Sequence, residues 1–445
     1  MGQDELFKEL VGQSGPVREG VAGAPRLREP VRDQVALRAV DLEGLVGADH
    51  PVRVIWGYVA KLDLRALEDA IGSRAGTPGH PAIAPRLLLA LWLYATSQGV
   101  GSARALAKLC ERDDAYRWLC GGVSVNHHTL ADFRVAHPAL LDELLIEHVA
   151  SLAAAGVVDF EVLGQDGIKV RAGAGASSFR RVPTLRKALK KARRLVEHLK
   201  RENDDDPDAS NRRIKAAQAR AAAERQARIE EALAKQAELA AERARRKRKN
   251  ANQAKKQGAP RASTTDADAR VMKMADGGFR PAYNLQIASA VEQQIVLAVD
   301  VETTGSDHGG LRPMIERIKA RFGRTPRRYL ADGGFLKHSD IAWAADPANG
   351  AIKVYCPAPR NKHATDPYEP RPGDDPAIAD WRRRMNSPTG KAIYKRRAII
   401  ECLNARARRY NLRQLTVRGR DKVRSVLLWF ALANNILQSH RLAAT

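Results

Sequence analysis

No apolar run in this 445-residue chain approaches the roughly 20 residues needed to cross a bilayer, and the longest, 87–95 and 426–433, have the length of buried core helices. Cysteine is scarce. Cys110, Cys120, Cys356 and Cys402 are scattered, with no C-x2-C pair and no histidine at zinc spacing, which argues against a disulfide framework and a zinc module. His127 and His128 lie near Cys120, but adjacent histidines are expected to point apart and the gaps fit no zinc site. Negative charge is also in short supply, with 51 Asp plus Glu against 75 Lys plus Arg and a net charge of +24. That excess favours a polyanionic partner, nucleic acid before an anionic membrane surface. What is present, 44% hydrophobic residues, suffices for a packed core and excludes a disordered tail protein. The length predicts two or three structural units. The opening MGQDELFKEL is polar and acidic, with neither a signal-peptide nor a myristoylation pattern, so the expectation is a cytoplasmic protein without a membrane partner.

Residues 1–45 are punctuated by Gly, Pro and Arg and read as a loosely ordered arm. From 46 to 152 the pattern is helical: Trp56, Val59, Leu62 and Leu64 form one amphipathic stretch, and 85–95 is apolar nearly all round. Ser102 is placed to cap a helix reaching Cys110, Gly121 and Gly122 mark a turn, and Thr129 with Asp132 has capping-box spacing. This fits a helix-turn-helix offering Asn126, His128 and Arg134 to DNA, and fits a plain helical bundle equally well. A strand leads to Asp166, and further strands are expected at 283–287, 295–301, 328–332 and 352–355, with a helix over 311–322 and closing helices over 391–411 and 421–440. Strands followed by alternating helix and strand predict an α/β layer fold over 153–182 and 261–445.

Residues 183–260 interrupt that block. They contain no Phe, Trp or Tyr and carry 23 Lys plus Arg against 11 Asp plus Glu. Their Ala, Glu, Arg and Lys favour helix, with i to i+4 pairs such as Glu224–Arg228, Glu231–Lys235 and Glu242–Arg246. Large apolar residues are too few for a heptad seam, and Pro207 within the acidic run 204–208 is expected to break the helix. The segment reads as a basic helical insertion, either a spacer or a surface laid on DNA backbone. The run Arg245, Arg246, Lys247, Arg248 and Lys249 favours the second.

Three carboxylates stand out by position. Asp166 lies in a strand, Asp332 closes one in YLADGG, and Glu401 lies in a helix. An acid at the end of an apolar strand is costly unless a cation meets it. Tyr394, Arg397, Glu401 and Arg408 are spaced to share one helical face, which is polar where a packed helix is apolar. The bland reading is a surface Arg397–Glu401 salt bridge of about a few tenths of a kcal/mol. The functional reading is a carboxylate reaching a metal while Tyr394, Arg397 and Arg408 hold a phosphate backbone.

The pattern Tyr394-x2-Arg397-x3-Glu401-x6-Arg408 resembles the Tyr-Arg-Glu-Lys signature of bacterial insertion-sequence transposases with a DDE triad. Further stretches are similar to that family: HPAIAPRLLLALWLYATSQGVGSARALAKLCERDDAYRWLCGG, QDGIKVRAGAG, and STTDADARVMKMADGGFRPAYNLQIA. The resemblance implies a ribonuclease H-like catalytic domain with Asp166, Asp332 and Glu401 as its triad, interrupted by a helical insertion at 183–260 and preceded by an all-α DNA-binding domain at 46–152. Departures are Arg408 for the commoner Lys, Ile168 where Thr is frequent, and Gly333 and Phe335 for Ala and Tyr. No carboxylate is lost.

On this resemblance the expected cofactor is a pair of Mg²⁺ ions per active site, with Mn²⁺ as a substitute, Asp166 bridging the two and Asp332 and Glu401 completing one site each. The implied reaction is cleavage at transposon ends and transfer of the 3′-hydroxyl ends into target DNA, by an oligomer bound to terminal inverted repeats. The competing readings are a non-catalytic DNA-binding protein and a host nuclease of the same fold.

Overall fold

The computed structural model describes residues 39, 41–74, 76, 80–205, 212–249, 259–358 and 366–444. The expected arm lies outside the described residues for 1–38 and 40, and so do Asp206, Pro207 and Asp208. Residues 42–445 form one compact unit.

Seven helices open it: α1 (Pro51–Ala60), α2 (Arg65–Asp69), α3 (Pro85–Ser97), α4 (Ala103–Arg112), α5 (Asp114–Cys120), α6 (His127–Ala136) and α7 (Pro138–Ala154). Proline begins α1, α3 and α7, where its missing N–H costs nothing. Ser102 caps α4 as expected, and Gly121, at φ 53°, ends α5 in the left-handed conformation that lacks a Cβ penalty. The α6 cap differs from the capping-box reading. Asn126 supplies it, its Oδ1 accepting from the Thr129 N–H at 2.9 Å, because an Asn three residues earlier satisfies the same donors.

The sheet contains β1 (Val162–Arg171), β4 (Arg270–Lys273), β5 (Phe279–Ala290), β6 (Ile295–Glu302), β7 (Arg328–Leu330) and β8 (Lys353–Tyr355), while β2 (Phe179–Arg180) and β3 (Ala262–Ser263) pair separately. Strands run in the order β6, β5, β1, β7, β8, with β4 on the opening residues of β5. β5 is antiparallel to β1, β4 and β6, whereas β7 and β8 run parallel to β1. Parallel neighbours need crossover connections, and α10 (Leu311–Phe322) and α11 (His338–Ala345) lie in those before β7 and β8. β1 pairs with β7 only over Val162–Gly164 and next meets the chain at Arg171, beside Gln414. Between those points its β7-side edge is open, with Asp166 inside the gap.

Between β2 and β3 stand α8 (Val182–Asp205) and α9 (Arg212–Lys249), packed on each other around Leu185, Ala192, Ile229, Ala232 and Ala262. The hairpin thus has a small core that periodicity within α9 alone does not reveal, because α8 supplies half of it. Glu224 pairs with Arg228 as expected, at 3.5 Å, but Lys235 chooses Glu238 and Asp268 over Glu231.

The chain closes with α12 (Pro376–Asn386), α13 (Pro388–Lys395), α14 (Ala398–Arg409) and α15 (Arg420–Ala443). The single helix expected over 391–411 is therefore two. The turn at Arg396–Arg397 uses i to i−3 hydrogen bonds, and the two arginines are anchored apart, Arg396 on Glu292 and Arg397 on Asp166. α15 is buried over 425–437 and lies between β6 and helices α1, α3, α6 and α7. The Asn435 amide makes two 2.8 Å hydrogen bonds to the Val296 backbone, the Trp429 indole donates to the Arg134 carbonyl, and Arg321 and Arg424 both grip Asp142. The apolar core is continuous through all of these elements. Among the described residues no helix is long and apolar enough to cross a membrane.

Candidate active site

The open edge of β1 forms the floor of a cleft of about 920 Å³ whose lining includes Asp166, Asp307, Asp332, Arg397, Glu401 and Asn404. Asp166 is 8% exposed. Its Oδ1 accepts from the Gly167 N–H at 2.9 Å, and its Oδ2 accepts from Asn404 Nδ2 at 2.7 Å and Arg397 Nη2 at 3.1 Å. Burial pushes its carboxyl above the usual range, and Arg397, Gly167 and Asn404 offset this only in part. Asp332 follows β7 and caps a short turn, accepting from the Gly334 N–H at 2.7 Å. Glu401 stands in the first turn of α14 with its side chain 69% exposed.

Arg397 brings these three together. Its guanidinium lies 3.1 Å from Asp166, 3.9 Å from Asp332 and 3.5 Å from Glu401 while only 15% exposed. Burial opposes its charge, but Asp166, Tyr394, Asp332 and Glu401 together hold its pKa above the ordinary value. The exposed Arg397–Glu401 bridge of the bland reading is thus one arm of a four-residue cluster, reaching a strand 231 residues away in sequence. Because the helix breaks, Tyr394 belongs to α13 and does not share a continuous helical face with Glu401 and Arg408. It is half-buried beside the cluster, and burial raises its hydroxyl pKa. Arg408 is exposed on the cleft wall with Lys169, Arg171, Lys273 and Arg413.

Two site residues carry little signal in the sequence. Asn404, one turn beyond Glu401, orients Asp166. Asp307, in the loop before α10, accepts from Asn284 Nδ2 and Gln286 Nε2, each at 2.6 Å. The one hint of Asp307 is the pair of polar residues at alternate positions of the buried run YNLQIA.

The remaining expected DNA contacts lie elsewhere. Arg134 is half-buried: its Nη1 donates to the Gly101 carbonyl at 2.6 Å and to Thr416 Oγ1 at 2.8 Å, its guanidinium sits 4.8 Å over the Trp92 ring, and burial lowers its pKa to about 10. These contacts hold one terminal nitrogen and one face of the guanidinium against the chain's own backbone and ring. Asn126 uses its carbonyl as a helix cap. His128 is exposed, and its ring lies 4.1 Å from that of His127 at a 35° tilt, so the adjacent histidines lie against each other instead of pointing apart. Arg245 is exposed on α9, while the side chains of Arg246, Lys247, Arg248 and Lys249 lie outside the described residues.

Among the described residues no three acids, histidines or cysteines stand close enough to chelate a metal as placed, since Arg397 occupies the space between the carboxylates. The donor set nevertheless fits a hard cation: carboxylate oxygens, with the buried and unpartnered amide oxygens of Asn404 and Asn284 beside them.

A family model described as a transposase DDE domain matches residues 259–436, which include Asp307, Asp332 and Glu401, and one described as a transposase domain matches 40–136. Neither curated proteins nor solved structures give a significant match.

Proposed function

We infer that the chain is an insertion-sequence transposase that joins an N-terminal transposase domain to a DDE domain, a class that acts on DNA and whose DDE domain implies a ribonuclease H-like fold. From that premise we propose that it cleaves transposon ends and transfers the freed 3′-hydroxyls into target DNA, with Asp166, Asp332 and Glu401 as the catalytic acids. The observation that supports this best is the convergence of all three on Arg397 at the open edge of β1.

In this reading the three acids would hold the divalent cations typical of the family, Mg²⁺ or Mn²⁺. Bound there, such ions supply a nucleophile at neutral pH and stabilise the departing oxygen. The protein's own residues do the rest. Asn404 and the Gly167 N–H orient Asp166. Arg397 turns from the carboxylates to the scissile phosphate once the acids have another countercharge. Arg408, Lys169, Arg171, Lys273 and Arg413 line the path of the DNA backbone, which supplies affinity without sequence information. In the first step water oxygen bonds to phosphorus and the 3′-oxygen leaves with a proton. In the second that 3′-hydroxyl attacks a target phosphate and displaces the target's 3′-oxygen. The α8–α9 hairpin, through Arg245 to Lys249, extends the backbone contact, and the working form is an oligomer on DNA.

The test is cleavage and joining of a linear DNA carrying the element's end, with Mg²⁺ present. Asp166→Ala, Asp332→Ala and Glu401→Ala are each expected to lose cleavage while binding DNA nearly as before. Wild-type rates in any of the three would refute the triad. Cleavage without joining would point to a nuclease, and binding without either to a non-catalytic DNA-binding protein.

A further inference from the structure

β1 alternates its faces, so Gln165, Gly167 and Lys169 share one, and the register sets Gly167 opposite Gln286 and Lys169 opposite Asn284. Gly167 has no side chain to fill this face. A Cβ there would overlap Asp307 Oδ1 and would stand 2.7 Å from Gln286 Nε2 and 2.9 Å from Asn284 Oδ1. The space on this face, opposite to the one that carries the Asp166 side chain, is thus kept clear for a carboxylate arriving from the loop before α10. That carboxylate is held from behind by a buried chain of hydrogen bonds: the Tyr329 hydroxyl donates to Gln165 Oε1, Gln165 Nε2 to Gln286 Oε1, and Gln286 Nε2 to Asp307 Oδ1. Asn284 adds a second donor to the same oxygen.

Both described donors fall on Oδ1. Asp307 Oδ2 points the other way, 3.8 Å from where a Cβ on Gly334 would lie, and Asp332 Oδ1 is 2.9 Å from that same point. Asp307 Oδ2 and Asp332 Oδ1 therefore both lie beside Gly334. A separate observation points to a ligand. Asn284 is fully buried, yet its Oδ1 has no partner and faces the gap over Gly167. A buried carbonyl oxygen without a donor is costly, and a cation or its hydration water answers that need.

We propose that Asp307 is a fourth carboxylate of the divalent-cation centre, acting on the Asp332 side of the site, with Asn284 Oδ1 receiving a water of the same centre. This rests on the triad reading above. It also gives Gln165, Asn284 and Gln286 a purpose that strand packing does not: they fix one oxygen of Asp307 so that the other stays available.

The experiment is Mn²⁺ binding to the full chain without DNA, followed by the electron paramagnetic resonance of free Mn²⁺ and competed with Mg²⁺. Asp307→Asn keeps an acceptor for Asn284 and Gln286, and is expected to weaken Mn²⁺ at least tenfold or to lower the stoichiometry by one. Asp307→Ser, smaller and uncharged, serves in its place if the Asn variant does not fold, with the same expectation. Asp276→Asn removes an acid on the cleft wall that is paired with Arg280 and is the control for general loss of negative charge. Unchanged Mn²⁺ binding in the Asp307 variants, or an equal loss in Asp276→Asn, overturns the proposal. If Asp166→Asn binds Mn²⁺ like wild type, or wild type binds none, the triad reading fails first and this one with it.

Discussion

Arg397 is the group whose removal says most about the cleft. Its guanidinium approaches Asp166 to 3.1 Å and is 15% exposed, with Asp332 and Glu401 at 3.9 and 3.5 Å. At an effective dielectric of ~20, a unit pair at 3.1 Å attracts by about 5 kcal/mol before desolvation. Desolvation of both partners cancels most of that, and screening of the exposed Glu401 removes nearly all of its share, which leaves a net ~1–3 kcal/mol for the cluster. Arg397→Gln should therefore destabilise the fold by that much, seen as a lower urea midpoint with no change in slope, because the acids then face one another without a countercharge. Magnesium is expected to reverse the deficit. In wild type the ion must displace the guanidinium, whereas in the variant it enters directly, so Mg²⁺ stabilises the variant more, by up to ~2.7 kcal/mol at a hundred times its dissociation constant. Equal urea midpoints for the two proteins without Mg²⁺ would refute the clustering argument. A variant that gains no more from Mg²⁺ than wild type would refute the idea that arginine and cation share one place.

Three further outcomes follow from the same geometry. Folding raises the pKa of Asp166, so its ionised form costs stability at neutral pH and the cost fades as pH falls through the folded pKa; Asp166→Asn should be inactive yet more stable at pH 7, by urea unfolding, with the advantage shrinking as the pH is lowered. Arg134→Ala leaves the Gly101 carbonyl and the Trp92 face without their partner and should cost ~2–3 kcal/mol in unfolding, while DNA affinity of the folded variant stays within about twofold by fluorescence anisotropy. Replacing Arg245 to Lys249 by Ala should make log affinity less steep in log salt, by about 0.9 for each phosphate that the protein no longer neutralises, and an unchanged slope would mean that the hairpin does not touch DNA.

Much of the fold is readable from residues. The strands carrying Asp166 and preceding Asp332 are apolar enough to announce themselves, and the α10 boundaries match the expected helix because its apolar residues recur on one side. The break at Arg396 is not readable, since no Gly or Pro marks it and the ion pairs made there, Arg396 with Glu292 and Arg397 with Asp166, join residues far apart in the chain. Arg134 looks available in the sequence, which shows a cation on a short helix, while Trp92 and Thr416, the partners that enclose it, come from opposite ends of the chain. Asp307 sits in TTGSDHGG, a stretch with the composition of any loop, and only the strand register connects it with Gly167.

The position of α15 bears on how the molecule comes into being. Synthesis delivers α1 to α7 first, yet Trp92 and Phe133 reach their partner Trp429 only when the final helix has been made, and β6 waits for Asn435 in the same way. Both the early helices and the sheet pack on that last helix. A frameshift or nonsense codon before residue 420 therefore removes a packing partner from the N-terminal helices and from the sheet at one stroke.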